Sequence, residues 1–165
     1  MARAELARER FERLYRDHAR GLYAYLRWHC GSDAHAEDLL ADVFERVLRS
    51  AHRYDASRGT ETTWLYAIAV NRVRDHARRG AAERRAVDRL RVEAGRSGAA
   101  AAVETREDLA AALGRLSPEE REVVALRFGA DLAVARVAEA LGEPVTTVEG
   151  RLYRGLRKLR KELEG

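Results

Sequence analysis

Residues 117–160 read SPEEREVVALRFGADLAVARVAEALGEPVTTVEGRLYRGLRKLR, and this stretch decides the fold. It opens on Ser117-Pro118-Glu119-Glu120: a hydroxyl ahead of the helix, a proline in its first turn and a glutamate three residues after the serine, the pattern of a capping box. The helix so started turns Val123, Val124, Leu126 and Phe128 inward and ends at Gly129. A short helix follows over Leu132–Ala140, with Val134, Val137, Ala138 and Leu141 apolar. Leu141-Gly142-Glu143-Pro144 is a tight turn, and a last helix runs over Val145–Leu163. Along it Val148, Leu152, Leu156, Leu159 and Leu163 recur at three- and four-residue spacing, which assigns them to one buried side.

The two helices around Gly142 have the spacing of a helix-turn-helix: small Ala138 at the crossing, glycine in the turn, and Val148 and Leu152 apolar in the second helix. In such a unit the start of the second helix enters the major groove, where base edges are distinguishable. Thr146, Thr147, Glu149, Gly150 and Arg151 occupy its leading positions, with Arg154 one turn on. Arg157 and Lys158, with Arg160 and Lys161, lie further along, where they meet phosphates rather than bases. A plain helical hairpin inside a bundle is the alternative; the proline after the turn and the basic tail favour the DNA-reading unit.

Working outward, Phe11, Leu14, Tyr15, His18, Leu22, Tyr25 and Leu26 mark one face of a helix over Leu6–Trp28. Gly31-Ser32-Asp33 stops it and caps a second helix over Ala34–Ser50. That helix carries Leu39, Leu40, Val43, Phe44, Val47 and Leu48 inward and shows Glu37, Asp38, Asp42, Glu45 and Arg46 outward. Tyr54–Thr62 has no periodicity and reads as a loop. A third helix over Thr63–Arg78 buries Trp64, Leu65, Ile68 and Val73. Residues 80–103 lose large apolar side chains after Leu90, and Gly95-Arg96-Ser97-Gly98 reads as linker. Leu109, Leu113 and Leu116 then form one helix face. The expected fold is all-α: helical domains over 1–79 and 104–165, joined by a flexible linker over 80–103.

The basic residues are 29 arginines and two lysines, and the net charge is only +4. Its distribution is more informative. Six cations stand between Arg151 and Lys161 with no acid among them, behind an acidic front to the same domain. A stripe of that kind attracts polyanions. One cysteine, Cys30, excludes an intramolecular disulfide framework. No apolar run approaches the ~20 residues of a membrane span, and the amino terminus has no apolar signal-peptide core, so a cytoplasmic protein is expected. His29, Cys30 and His35 fall short of a four-ligand zinc site, and no Gly-rich phosphate loop or nucleophile motif is present. Neither cofactor nor catalysis is expected.

The stretch 117–160 resembles the fourth conserved region of bacterial sigma factors. Residues 35–79, HAEDLLADVFERVLRSAHRYDASRGTETTWLYAIAVNRVRDHARR, resemble the second. Their order, and the linker in place of a third domain, are similar to the extracytoplasmic-function group. The resemblance implies a subunit that binds core RNA polymerase and directs initiation at promoter DNA. It assigns polymerase docking to Asp38, Asp42, Glu45 and Arg46. It assigns capture of flipped bases of the −10 element to the Arg53–Thr62 loop, through Tyr54, Asp55 and Arg58, with Arg72, Arg74, Arg78 and Arg79 on phosphates. The helix-turn-helix would read the −35 element. An anti-sigma factor is the further partner it implies. The chain departs from the family's habit at Ala41 and Asp42, at Glu61, at Ala133 and Ala135, and at Glu149. Two other readings stay open: a stand-alone helix-turn-helix regulator, and a degenerate sigma-like interaction protein that no longer initiates.

Overall fold

A computed structural model describes residues 1–30, 32–91, 109 and 111–164. The first helix, α1 (Ala2–Cys30), is longer at both ends than its apolar stripe. Ser32 caps α2 (Asp33–Ser50), its hydroxyl accepting from the His35 amide at 3.3 Å. Asp33 draws the end of α1 to the same corner, accepting from Tyr23 Oη at 2.9 Å and Arg27 Nε at 2.6 Å. A 3₁₀ turn (Ala51–Arg53) and a loop lead to α3 (Glu61–Arg91). Leu14, Leu22, Tyr25 and Leu26 of α1 bury themselves against Leu39, Val43, Phe44 and Val47 of α2 and Leu65, Tyr66, Ala69, Val70 and Val73 of α3.

Two expectations fail in this domain. Leu48 is exposed, because the buried stripe of α2 runs 36-39-43-44-47 and ends one position short of it. Helix α3 starts two residues early and runs past Arg79 to Arg91, into the segment read as linker. Alanine, arginine and glutamate favour helix without supplying an apolar period. The remainder of the expected linker, 92–103, lies outside the described residues.

In the second domain residues 111–114 are helical, and Leu113 and Leu116 are buried while Leu109 is more than a third exposed. Helix α4 (Pro118–Val124) begins with the capping box in full: Ser117 Oγ accepts from the Glu120 amide at 3.2 Å, and Glu120 Oε2 accepts from the Ser117 amide at 3.0 Å. It passes into a π-turn (Ala125–Gly129), closed by the Ala130 amide on the Ala125 carbonyl at 3.0 Å. Widening the helix there rotates Phe128 outward, so this expected core residue is 48% exposed.

Helix α5 (Val134–Leu141) starts at Ala133 with no side-chain cap. It ends at Gly142, whose φ of 65° is left-handed, with the Glu143 amide on the Ala138 carbonyl and the Gly142 amide on the Glu139 carbonyl. That is a Schellman ending, which favours glycine because a Cβ is strained there. Helix α6 (Val145–Leu163) buries Val148, Gly155 and Leu159. Leu156 and Leu163, expected on its buried side, are exposed. The helix lies on α4 along Gly155 rather than on a continuous leucine stripe.

The domains touch. The π-turn lies on α1 and α5 lies on α3. No described helix is long and apolar enough to cross a membrane.

Candidate nucleic-acid interface

The loop between α2 and α3 is built rather than slack. Tyr54 is half-buried, its hydroxyl donating to the Gly59 carbonyl at 3.1 Å, its ring 5.4 Å from that of Trp64 and under the Arg10 guanidinium at 5.2 Å. Asp55 accepts from the Ser57 amide at 2.9 Å and the Ser57 hydroxyl at 2.7 Å, and these bonds hold its carboxyl below the usual range. Arg58 projects into solvent from the turn they form. Glu61 receives Arg10 at 2.9 Å and Arg13 at 2.7 Å, which ties the loop to α1. It also lies in the first turn of α3, where an acid complements the helix dipole. The unexpected glutamate therefore replaces apolar packing of the loop with an ionic clamp.

On α2, Asp38, Glu45 and Arg46 are exposed, and Glu45 accepts from Arg49 at 2.5 Å. Asp42 is half-buried and turns inward to pair with Arg72. An open cleft of about 380 Å³ runs along Asp42, Glu45, Arg46, Arg49 and Arg53.

The four arginines of α3 do not form one surface. Arg72 is 13% exposed, paired with Asp42 and, at 3.6 Å, with Asp75. It braces α3 against α2, and its expected place on phosphates is corrected accordingly: a side chain held on two acids inside the bundle does not face a duplex. Arg74 donates to Glu122 of α4 at 3.0 Å, and that bond raises its already high pKa. Arg78 pairs with Asp75, and Arg79 is exposed.

On α6 the exposed stripe runs through Thr146, Glu149, Tyr153 and Arg157, three or four residues apart. Thr147 and Gly150 are half-buried beside it. Arg151, expected to lead the groove-facing set, has a side chain 20% exposed and held through both guanidinium Nη atoms by Glu143, at 3.2 and 3.3 Å. Lys158 donates to Glu120 at 2.7 Å, with Arg154 3.8 Å from the same carboxylate. Lys158 first, then the Ser117 amide, hold the buried Glu120 carboxyl below its usual range. One acid thus caps α4 and anchors α6, so Lys158 orients α6 against α4. Sequence reasoning missed Tyr153, although its spacing from Thr146 and Glu149 was available. It also missed Glu122, Glu139 and Glu143, and it found Glu120 as a cap but not as the partner of Lys158; the partners of all four lie on other elements or across a turn.

The other candidates carry no chemistry of their own. His35 bonds Ser32 at 3.0 Å and lies 6.0 Å from the His76 ring, and Cys30 is a half-buried helix-end thiol whose pKa burial pushes up. Among the described residues no group of three His, Cys, Asp or Glu side chains is arranged to hold a metal ion.

Comparison with known proteins agrees with this layout. Residues 14–85 match Sigma-70 region 2, and residues 106–159 match Sigma-70, region 4. The ECF RNA polymerase sigma factor SigX of Bacillus subtilis is 30% identical over 94% of this chain and 84% of its own length. RNA polymerase sigma factor CarQ of Myxococcus xanthus is 32% identical over 95% and 91%. BldN of Streptomyces coelicolor, another ECF sigma factor, is 32% identical over 93% of this chain, which spans only 60% of BldN. Among solved structures, the sigma factor RpoE from Bartonella quintana, in complex with the anti-sigma factor NepR, superposes with a TM-score of 0.76 at 20% identity, covering 94% of this chain and 98% of RpoE. CnrH, in complex with the cytosolic domain of CnrY, gives 0.70 at 24% identity, covering 98% and 94%. Both regions fall in family order on one all-helical chain, and the chain belongs to the extracytoplasmic-function family of RNA polymerase sigma factors.

Proposed function

We propose that the chain is a non-catalytic initiation subunit that binds core RNA polymerase and directs it to promoters. Its contacts divide among three surfaces. The outward face of α2, with Asp38, Glu45 and Arg46, docks on the polymerase. The Tyr54–Thr60 loop takes bases of the melted −10 element, with Arg58 exposed at its rim. The stripe on α6 enters the major groove of the −35 element, where Glu149 accepts from a cytosine amino group. The observation that carries the reading is the pairing of a preformed loop and a helix-turn-helix, each within its own sigma region, on one chain. An anti-sigma factor is a fitting partner: the RpoE structure that superposes on this chain is of a complex with the anti-sigma factor NepR.

The test is reconstitution with core polymerase. Specific initiation from a promoter selected out of random DNA by the polymerase-bound chain is the expected result. Promoter binding by the free chain, undiminished without polymerase, would favour a stand-alone regulator. Polymerase binding with no initiation on any selected DNA would leave only an interaction protein.

A further inference from the structure

We infer that Glu120 is a specificity-determining residue: its buried carboxylate is an internal counterion that keeps Lys158 and Arg154 of α6 from the DNA backbone, so that promoter binding falls to the groove-facing stripe. The inference rests on the promoter-binding reading for its consequence, though not for the charge balance itself.

The sequence places six cations on α6 between Arg151 and Lys161 and no acid among them. The fold brings acids to them from outside that stretch, and among the described residues Glu120 alone pairs with two of the six. Its Oε2 accepts from Lys158 Nζ at 2.7 Å and from the Ser117 amide at 3.0 Å, and its Oε1 lies 3.8 Å from Arg154 Nε. The acid side chain is 6% exposed, against 48% for Lys158 and 60% for Arg154, so both cations reach the surface over a carboxylate held inside. The backbone of α6 fixes this arrangement. A Cβ on Gly155 would lie 3.0 Å from Val124 Cγ2 and 3.6 Å from Glu120 Cβ. Gly155 stands between the two cations in the chain, so the turn that carries them is seated directly on Glu120.

The cap of α4 does not require this charge. A capping box accepts glutamate or glutamine, because either side-chain oxygen can accept from the serine amide. Burial of an ionised carboxylate carries a desolvation cost that a neutral amide largely avoids. What the charge adds is its hold on the two cations. The bonds from Lys158 and the Ser117 amide keep the carboxyl below its usual range, so it stays ionised at neutral pH.

Position gives that hold its consequence. Arg154 and Lys158, four residues apart, occupy the flank of α6 between the exposed stripe and the buried side at Gly155 and Leu159. With the stripe in the major groove, this flank faces the phosphates of the groove wall. Cations free at that wall would bind every duplex alike, since phosphate contacts carry no sequence information. A carboxylate already paired with them offsets those contacts and leaves the base-facing groups to decide.

The salt dependence of binding to a random duplex of about 30 base pairs, read by fluorescence anisotropy on the full-length chain, measures the charge balance. Glu120→Gln keeps the cap and frees both cations, so the slope of log affinity against log salt should steepen by about 0.9 to 1.8, one to two phosphate contacts. Between about 25 and about 100 mM salt this deepens the loss of affinity by a further factor of roughly 3 to 12. Lys158→Gln alone should leave the slope unchanged, but should lower it by about 0.9 in the Glu120→Gln chain, where the lysine is free. In the reconstituted polymerase complex, Glu120→Gln should reduce discrimination between the selected promoter and one with a scrambled −35 element by roughly threefold. A slope unmoved by Glu120→Gln in a chain of unaltered circular dichroism overturns the counterion role. So does a full drop of the slope on Lys158→Gln alone, which decides the matter even if the glutamine chain does not fold. Discrimination retained in full overturns the part Glu120 plays in specificity. If the unmutated complex initiates on no selected DNA, the promoter reading fails instead, and the slopes still decide the charge balance.

Discussion

Protonation of His29 should undo much of the stability of the first domain in mild acid. The ring lies edge-on to buried Tyr25, with centroids 4.9 Å apart, and its Nε2 is buried with no hydrogen-bond partner among the described residues. Burial, and secondarily the positive charge of Arg121 from the other domain, push its pKa from 6.5 down to about 4. The neutral ring is thus the folded form, while the unfolded chain binds a proton near the ordinary value. Stability is complete above the unfolded pKa and is lost as pH falls toward the folded one. For a shift of this size, going from about pH 7.5 to about pH 5 removes roughly 2 kcal/mol through His29 alone.

The control is His29→Phe, which keeps an aromatic edge against Tyr25 and cannot titrate. Urea unfolding followed by fluorescence suits the question, because Trp28 and Trp64 both pack against the core of the first domain. His18 is also lowered by burial, and the carboxyls of Asp55, Asp75, Glu120 and Glu139 are lowered by their hydrogen bonds. Those contributions are common to both proteins and cancel in the difference. The variant should lose about 2 kcal/mol less than the unmutated chain over that interval. Equal losses would show that water reaches the ring, and the argument from burial would fall.

Arg72→Ala should cost about 1–3 kcal/mol in unfolding free energy, between the ranges for exposed and buried ion pairs, and leave the salt dependence of promoter binding unchanged. Arg74→Ala should instead change unfolding by under about 1 kcal/mol and reduce the salt slope of polymerase–promoter binding by about 0.9, one phosphate contact. Ser117→Ala removes the cap of α4 and should lower stability by about 1 kcal/mol, read from a thermal melt followed by circular dichroism. Arg151→Ala should relax preference at a single position of the selected upstream motif; a uniform loss over all promoters would instead identify Arg151 as a brace for the turn through Glu143.

The parts of this fold legible in the sequence are those set by near neighbours. The capping box at Ser117, the glycine ending at Gly142 and the limits of α6 all follow from residues within a turn of the feature. Apolar periodicity located faces, but it could not say whether a partner covers them. Leu48 and Leu163 continue a stripe beyond the point where another element lies on it. Phe128 fails for a different reason, since the π-turn shifts its angular position by the width of an added residue. The reach of α3 to Arg91 was missed because helix propensity without an apolar period leaves no pattern to count. Asp42–Arg72, Arg74–Glu122 and Glu120–Lys158 join residues 30 to 48 positions apart, and nothing local announces them.

Those distant pairs change what a basic sequence means here. An arginine already bonded to a carboxylate contributes to DNA binding only the difference between phosphate and that carboxylate. Arg74, Arg151 and Lys158 are all in this position, and Arg72 is withdrawn altogether. Among the described residues, the DNA-binding candidates whose cations are exposed and have no ion pair within 4 Å are Arg58 at the loop, Arg79 on α3 and Arg157 on α6, with Arg58 and Arg79 feeling the charges of Asp55 and Asp75. So few contacts give a shallow salt dependence and weak non-specific binding. On the proposed reading, binding free energy then depends on groups that discriminate: the α6 stripe of Thr146, Glu149 and Tyr153 at the groove and the Tyr54 loop at the melted strand. Glu149 sharpens the point, because an acid in the groove repels every phosphate and is offset only opposite a cytosine amino group. A chain arranged in this way has little hold on DNA at large, and its occupancy of a promoter must come from the polymerase that carries it there.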